Sequence, residues 1–234
     1  MGAEPGLIVF PDRAQMAAHL AELISVSLAH GVSENGRARL AVSGGSTPKA
    51  LYETLAATAL PWAQTDIVLV DERWVPLEHP RSNEAFVRGA FAAAKDVRIS
   101  GLFNAMPAPV AGVDALNHSV SDGQFDIDVA VLGLGPDGHT ASWFPHADGL
   151  DIALHSDDPF CAVTAKKSDV TGEEVDRMTM TLGAVARAKK IILLISGNDK
   201  KDAFYAACED GPVEDMPVRA ILRARPDLWA CWAA

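Results

Sequence analysis

The chain has 234 residues, of which 49% are hydrophobic and 22% are charged, so it can bury a sizeable core and is not expected to be disordered. Its 31 acidic and 20 basic residues give a net charge of −11 at pH 7, which disfavours nucleic acid and anionic membranes as partners. An anionic substrate would therefore have to be bound by a local cluster of basic side chains.

Strand and helix patterns alternate along the chain. The first helix is predicted to begin at a capping box formed by Asp12 and Gln15 and to end before Gly31. Pro48 suits the start of a second helix, and Ser82 would cap a third that reaches about residue 94. A further helix is predicted at residues 199–208. Strands are predicted at residues 7–10, 39–42, 67–70, 126–134, 160–165, 191–196 and 228–232. Residues 177–182 fit a strand or a helix start.

This alternation predicts an α/β protein with a three-layer, Rossmann-like fold around a mainly parallel sheet. We expect one domain over residues 1–234, with a loop-rich excursion around residues 149–174. Three scattered cysteines without a C-x-x-C pair indicate a reducing, cytoplasmic location and no structural zinc. No apolar run has the length of a membrane span, and the first residues do not have the pattern of a signal peptide. We expect a monomer or a weak homo-oligomer.

Four polar clusters follow predicted strands, at the edge where ligands bind in parallel sheets. The first is SGGSTP, in which Ser43, Gly44, Gly45, Ser46 and Thr47 precede a helix. Glycines let the backbone approach a ligand, and a helix N-terminus attracts anions, so this cluster indicates phosphate binding. A plain tight turn is the ordinary alternative. A serine nucleophile at Ser43 is a second alternative, although alanine replaces the first glycine of G-x-S-x-G.

The second cluster, LGLGPDGHTASWFP, contains a G-x-G-x-x-G that is not expected to bind a dinucleotide, because Pro145 ends any helix within about seven residues of Gly138. His139 is the better candidate, as a general base. In the first turn of a short helix, the positive end of the helix dipole would disfavour a charged imidazole. A histidine that only completes a turn is the alternative. The spacing of Asp137, His139 and His146 is not that of a known metal site, so no metal is expected.

The other two clusters carry charges. Asp71, Glu72 and Arg73 follow a buried strand, where they would form either a surface ion pair or part of a site. Lys200 lies at the start of the helix after the strand at 191–196, where a cation opposes the helix dipole and hints at a bound anion. Arg177 in DRMTMTL gains meaning only together with these residues.

These segments resemble the 6-phosphogluconolactonase family. The matching pieces follow one another in the order LAVSGGSTPKALYETL, VDERWVP with Ser82-Asn83, LGLGPDGHTASWFP, DRMTMTL and ISGNDKKDAF. Glucosamine-6-phosphate deaminases are related, but usually have DEY in place of DERW and an F-N-E-P string after DGH. This chain lacks that glutamate, which favours the lactonase. Trp143 replaces a more usual leucine, and the approach to Arg177 lacks the usual prolines.

The resemblance implies hydrolysis of 6-phospho-D-glucono-1,5-lactone to 6-phosphogluconate, without metal or cofactor. His139 would act as the base, and Asp71 would position His139 or the lactone hydroxyls. Arg73 would stabilise the oxyanion or bind phosphate. The phosphate would lie against residues 43–47, with Lys200 and Arg177 closing over it. A sugar-phosphate-binding regulator, a serine esterase and a deaminase are the competing hypotheses.

Overall fold

The computed structural model describes residues 6–120 and 125–234. Their helices and strands follow in the order β1 (Leu7–Val9), α1 (Arg13–Asn35), β2 (Ala38–Val42), α2 (Lys49–Ala56), β3 (Thr65–Leu69), β4 (Asp71–Arg73), α3 (Asn83–Ala90), β5 (Arg98–Ser100), α4 (Pro109–Ser119), β6 (Val129–Gly133), α5 (Leu150–His155), β7 (Phe160–Thr164), β8 (Asp176–Met180), α6 (Leu182–Ala186), β9 (Lys190–Ser196), α7 (Asn198–Cys208), α8 (Val218–Ala224) and β10 (Trp229–Ala233). A short 3-10 helix at Trp62–Gln64 precedes β3.

Seven strands form a parallel sheet in the order β1-β10-β9-β6-β2-β3-β5. From β2 the chain continues outward through β3 to β5, whereas from β6 it continues the other way through β9 to β10. The direction of winding therefore reverses between β2 and β6, which are hydrogen-bonded neighbours with Val42 opposite Val131. In open α/β sheets a ligand binds at the carboxyl ends of the strands at this reversal.

Side chains of the central strands alternate between two hydrophobic cores, as the two-residue period of a strand requires. Leu40 and Val42 of β2 pack with α1, α2 and α3 on one face, while Ala41 lies in the core of the other face. That second core also contains buried side chains of α5, α6, α7 and α8. Helices thus cover both faces, and the predicted three-layer, Rossmann-like architecture with a parallel sheet is confirmed.

A second sheet of three antiparallel strands, in the order β4-β8-β7, was not predicted. Its strand β4 consists of the DER triplet, Asp71–Arg73. The sequence analysis places this triplet after the end of a strand and not within one. Residues 177–182, left open between strand and helix, form most of β8 and then enter α6, which Thr181 caps. The excursion at 149–174 contains α5 and β7, and its irregular part is the segment 165–175.

The first helix is longer than predicted, because Gly31 does not end it. Asp12 caps α1 through the Gln15 N–H, as predicted, but the helix continues to Asn35 and ends at Gly36, which has a φ of +73°. Gly31 lies inside the helix, where a Cβ atom would be 2.6 Å from an oxygen of Asp128. Glycine at position 31 therefore permits close packing against Asp128, and the left-handed residue that ends the helix is Gly36, five residues later.

Ser82 caps α3 through the Ala85 N–H, as the sequence predicts, although the helix ends at Ala90. The strand β5 and the helix α4 were both missed. Across residues 6–120 and 125–234, none of the helices combines the length and the apolar character needed to cross a bilayer.

Candidate active site

A cleft of about 290 Å³ lies at the carboxyl ends of β2 and β6, where the winding of the sheet reverses. It brings together every residue that the sequence predicts for the site, namely Ser43, Gly44, Gly45, Ser46, Thr47, Asp71, Arg73, His139, Arg177 and Lys200. Asn83, Phe144 and Val170 also line it, and the sequence assigns no role to these three.

The glycine turn at residues 43–47 is anchored at both ends. The Ser43 N–H donates to the Val131 carbonyl at 3.1 Å, and the buried Tyr52 hydroxyl donates to the Ser43 carbonyl at 3.0 Å. Gly45 has a φ of +91°, a conformation that favours glycine. The Ser43 Oγ atom is buried and has no hydrogen-bond partner. A rigid turn before α2 with an unpaired hydroxyl suits a bound anion.

Asp71 and Arg73 point to the same side of β4, because side chains alternate along a strand. Arg177 of β8 lies directly opposite Arg73. Two like charges opposite each other destabilise a sheet, and the charge of Arg73 lowers the pKa of Arg177, an effect that Asp71 and Glu174 only partly offset. Two guanidinium groups placed in this way could hold an anion between them.

Arg177 is only 2% exposed and yet keeps an unused donor. Its Nη2 donates to the Thr171 carbonyl at 3.1 Å, and its guanidinium carbon lies 5.6 Å from the centre of the Phe144 ring. Arg177 Nη1 and Arg73 Nε are buried without a hydrogen-bond partner. Burial, followed by the charge of Arg73, lowers the pKa of Arg177 to about 10, so the group is still charged at neutral pH.

Asn83 is a site residue to which the sequence assigned no role. Its Oδ1 accepts from Arg73 Nη1 at 2.6 Å, and its Nδ2 donates to the Asp71 carbonyl at 3.0 Å. A Cβ atom on Gly44 would lie 2.1 Å from Asn83 Oδ1, so the glycine turn packs directly on this amide. Asn83 thus connects the turn with Asp71 and Arg73 of β4.

Glu72 points away from the cleft and holds β4 against α3. It is fully buried, and its carboxylate accepts the N–H groups of Arg73, Asn83 and Glu84 and the hydroxyl of Ser82. A carboxylate at a helix N-terminus satisfies donors that the helix itself leaves unpaired. Glu72 therefore has a structural position, and the two side chains that flank it face the cleft.

His139 lies in the cleft, but not in a helix. Residues 134–149 form turns and isolated bridges, so the predicted helix dipole is absent and that reason for an uncharged ring is wrong. The Gly135 N–H donates to the His139 carbonyl at 2.9 Å, and a Cβ on Gly135 would lie 2.0 Å from His139 Nδ1. In this turn the imidazole is oriented by the side chain of Asp137, and not by a helix dipole.

Asp137 is the carboxylate that holds His139. Its Oδ1 lies 2.5 Å from His139 Nδ1, and the Phe144 ring packs 4.4 Å from the imidazole, centre to centre. Burial raises the pKa of the Asp137 carboxyl, but the hydrogen bond and charge of His139 outweigh it and hold that pKa below its ordinary value. With Nδ1 directed to an ionised carboxylate, Nε2 is the nitrogen left to accept a proton.

The described residues show a hydrogen bond between His139 and Asp137 and none between His139 and Asp71, whose two expected roles, positioning His139 or holding the lactone hydroxyls, stay predictions. Asp71 Oδ2 accepts from the fully buried Ser142 hydroxyl at 2.7 Å. Ser142 occupies the segment in which the deaminases have their F-N-E-P string. The neighbouring Trp143 is fully buried and donates to the Met180 carbonyl at 2.8 Å, so it contributes to packing.

Lys200 lies in the first turn of α7 and lines the cleft. It has no ion-pair partner among the residues that the structure describes, which leaves its charge available to a ligand. In the same described ranges, no group of three histidine, cysteine or acidic side chains could hold a metal ion. The cleft is thus lined by cationic and polar side chains and by the imidazole of a histidine–carboxylate pair.

The family model described as "Glucosamine-6-phosphate isomerases/6-phosphogluconolactonase" matches residues 11–230. The chain belongs to this family. It is 40% identical to a 6-phosphogluconolactonase of Mesorhizobium japonicum, over 96% of this chain and 93% of the relative. A 6-phosphogluconolactonase of Rhizobium meliloti is 37% identical, over 96% of this chain and 97% of the relative.

Solved structures show the same fold. A 6-phosphogluconolactonase from Shewanella baltica superposes with a TM-score of 0.91 at 33% identity, covering 99% of this chain and 98% of that one. A monomeric glucosamine-6-phosphate deaminase superposes with a TM-score of 0.79 at 20% identity, covering 97% and 96%. The second likeness concerns the fold alone, so the two branches of the family share one architecture.

Proposed function

We propose that this chain hydrolyses 6-phospho-D-glucono-1,5-lactone to 6-phospho-D-gluconate, the second step of the oxidative pentose phosphate pathway, without metal or cofactor. The observation that carries the proposal is that one cleft is lined both by an oriented imidazole and by residues with unpaired donors for an anion. The names of the relatives at 40% and 37% identity support the same reaction.

A six-membered lactone is an activated ester, so a held water and a base suffice. His139 Nε2 takes a proton from the attacking water while the new C–O bond forms at the carbonyl carbon. The tetrahedral intermediate then breaks its bond to the ring oxygen, and the imidazolium returns the proton to that oxygen. Asp137 keeps Nδ1 protonated and stabilises the charge that the ring carries between the two steps.

The phosphate is assigned to the cationic side chains of the cleft. Ser43 Oγ, Arg73 Nε and Arg177 Nη1 are the buried donors without a partner there, and the N-terminus of α2 and Lys200 add positive potential. Binding the non-reacting phosphate tightly holds the lactone carbon against the water. The Asp71 carboxylate would repel an oxyanion, so it is assigned to the lactone hydroxyls instead.

The direct test offers the purified chain freshly made 6-phosphogluconolactone and measures ring opening above the spontaneous rate. Glucosamine 6-phosphate is offered in parallel, and released ammonia is measured. We expect fast lactone hydrolysis and no ammonia. Ammonia release without lactone hydrolysis would make the chain a deaminase, and tight binding with no turnover of either compound would make it a sugar-phosphate-binding regulator.

Two further predictions concern the protein in the cell. The expected reducing, cytoplasmic location agrees with three cysteines that form no disulfide within the described residues, two of them buried. The expected monomer or weak homo-oligomer stays a prediction, which sedimentation at micromolar concentration would test.

A further inference from the structure

Arg81 lies between β4 and α3 and is not among the residues that line the cleft. We propose that it is a positioning residue, which orients both guanidinium groups that receive the substrate phosphate. The inference rests on the proposed function. No sequence pattern indicates this role. Arg81 contacts Arg73, Thr171 and Glu174 directly, and it is linked to Arg177 through the carbonyl of Thr171.

The backbone of Arg81 holds Arg73. Its carbonyl accepts from Arg73 Nη1 at 2.9 Å, and Asn83 Oδ1 accepts from the same nitrogen at 2.6 Å. Both hydrogens of Nη1 are therefore used. The guanidinium plane is fixed by these two acceptors, while Nε of this cleft-lining residue is buried and has no partner.

The side chain of Arg81 holds Arg177. Its Nη2 donates to the Thr171 carbonyl at 3.2 Å, and Arg177 Nη2 donates to that same oxygen at 3.1 Å. One carbonyl with two lone pairs thus accepts from both arginines. The position of this carbonyl decides where the Arg177 guanidinium lies, and Arg81 is the neighbour that ties the carbonyl to the body of the protein.

The segment that carries Thr171 is fitted to Arg81. Gly172 has a φ of +70°, and a Cβ there would lie 2.0 Å from Arg81 Nη1, so any larger residue would displace the guanidinium from this position. Arg81 Nη1 also pairs with Glu174 Oε2 at 2.6 Å. This pair holds the segment from its other end and neutralises a carboxylate close to the proposed phosphate position.

The test compares Arg81→Met with the unsubstituted chain. We expect KM for 6-phosphogluconolactone to rise about tenfold, the loss of about one charge-assisted hydrogen bond, with kcat within about twofold. Unphosphorylated gluconolactone should be hydrolysed at the same rate by both proteins, because it does not use the arginines.

Arg88→Met is the matched control. Arg88 also pairs with a glutamate, Glu84 at 2.8 Å, and also donates to a backbone carbonyl, that of Ile99 at 3.1 Å. Within residues 6–120 and 125–234, it has no hydrogen bond or ion pair with a residue that lines the cleft. This variant should leave KM unchanged. Gly172→Ala gives an independent route, since its Cβ displaces the Arg81 guanidinium without altering that side chain, and it should raise KM in the same way.

A double-mutant cycle separates positioning from a general loss of structure. If Arg81 acts through Arg177, Arg81→Met should change KM by less than about twofold when Arg177 is already methionine. Full additivity would overturn the inference. So would an unchanged KM in Arg81→Met, or an equal loss with the unphosphorylated lactone.

Binding of 6-phosphogluconate, measured by calorimetry against gluconate as the unphosphorylated probe, keeps the two proposals distinguishable. If the unsubstituted chain binds 6-phosphogluconate but does not hydrolyse the lactone, the proposed reaction fails while the role of Arg81 can still be measured as about a tenfold loss of affinity. If it hydrolyses the lactone and Arg81→Met binds 6-phosphogluconate normally, the inference about Arg81 is wrong.

Discussion

The two ends of the central sheet carry charged clefts of nearly equal size, about 290 Å³ at the carboxyl ends of the strands and about 300 Å³ at the amino ends. The second, which we term the amino-end cluster, is lined by Arg37, Arg39, Asp66, Asp126, Asp128 and Lys189 among others. Neither volume nor charge content therefore distinguishes a binding site from a structural feature in this protein.

The two clefts differ in whether their charged side chains are paired with one another. In the amino-end cluster, Asp66 accepts four hydrogen bonds from Arg37 and Arg98, and Asp128 accepts from the Arg39 N–H and from Lys189. At the carboxyl ends, two arginines lie opposite each other with unused buried donors. A buried polar group without a partner costs free energy, and such groups concentrate where a ligand supplies the partner.

Among the substitutions that test this contrast between the two clefts, the largest effect is expected at Arg177. Arg177→Met removes unpaired donors from the cleft, so KM for the phosphorylated lactone should rise about a hundredfold. The free energy of unfolding should be unchanged or higher, because the substitution removes a desolvated charge that faces Arg73. Steady-state kinetics and urea unfolding measure both quantities. A large loss of stability with little change in KM would place Arg177 among the structural residues.

Asp66→Asn should have the opposite profile. It removes the charge that pairs with Arg37 and Arg98, so the free energy of unfolding should fall by about 2 kcal/mol while kcat and KM stay unchanged. Glu53→Gln is the control, since its pair with Lys49 is exposed and should contribute less than about 0.5 kcal/mol. Loss of activity in Asp66→Asn without loss of stability would contradict the assignment of a structural role to the amino-end cluster.

A smaller effect follows from the titration of Asp66. Burial raises the pKa of its carboxyl, but the hydrogen bonds and charges of Arg98 and Arg37 outweigh it and hold that pKa below the ordinary 3.8. The stability contributed by Asp66 is therefore present above pH 3.8 and lost as the pH falls through the folded-state pKa. Between about pH 5 and pH 2.5, unfolding free energy should fall less steeply in Asp66→Asn. Parallel pH profiles of the two proteins would contradict this.

The smallest effect is expected at Ser43. Its Oγ is buried and makes no hydrogen bond, so no base activates it, and Ser43→Ala should reduce turnover by less than about tenfold. A nucleophilic serine would instead lose more than about 10³-fold and form an acyl-enzyme. Mass spectrometry of the protein mixed with lactone would detect that intermediate, and its presence would revive the serine esterase hypothesis.

Much of this fold follows from local patterns. Apolar runs predicted the strands that became β2, β3, β6 and β9, and the caps at Asp12 and Ser82 predicted two helix starts. The misses have physical causes. The polar strand β4 exists because it pairs with β8, more than a hundred residues later, and no local pattern shows that pairing. The strand β5 has only three residues.

The sequence analysis predicted which residues line the candidate cleft better than it predicted the contacts among them. Turns after parallel strands meet at one edge, so the clusters after β2, β6 and β9 converge, and the resemblance supplied Arg177. Asp137, the partner of His139, stands only two residues earlier in the sequence. The sequence analysis did not predict this pair, because it placed His139 in a helix and assigned the effect on the imidazole to the helix dipole. Arg81 acts through a contact with Thr171, ninety residues later, and Asn83 acts through the way α3 packs back on β4, and local sequence patterns show neither contact.

The most direct test of the account is the rate of 6-phosphogluconolactone hydrolysis by His139→Asn, corrected for spontaneous opening, with calorimetric binding of 6-phosphogluconate to the same protein. Loss of the base should lower kcat about 10²- to 10⁴-fold, while the dissociation constant changes by less than about threefold. An undiminished kcat, or a loss of binding as large as the loss of rate, would contradict the assignment of His139 as the base.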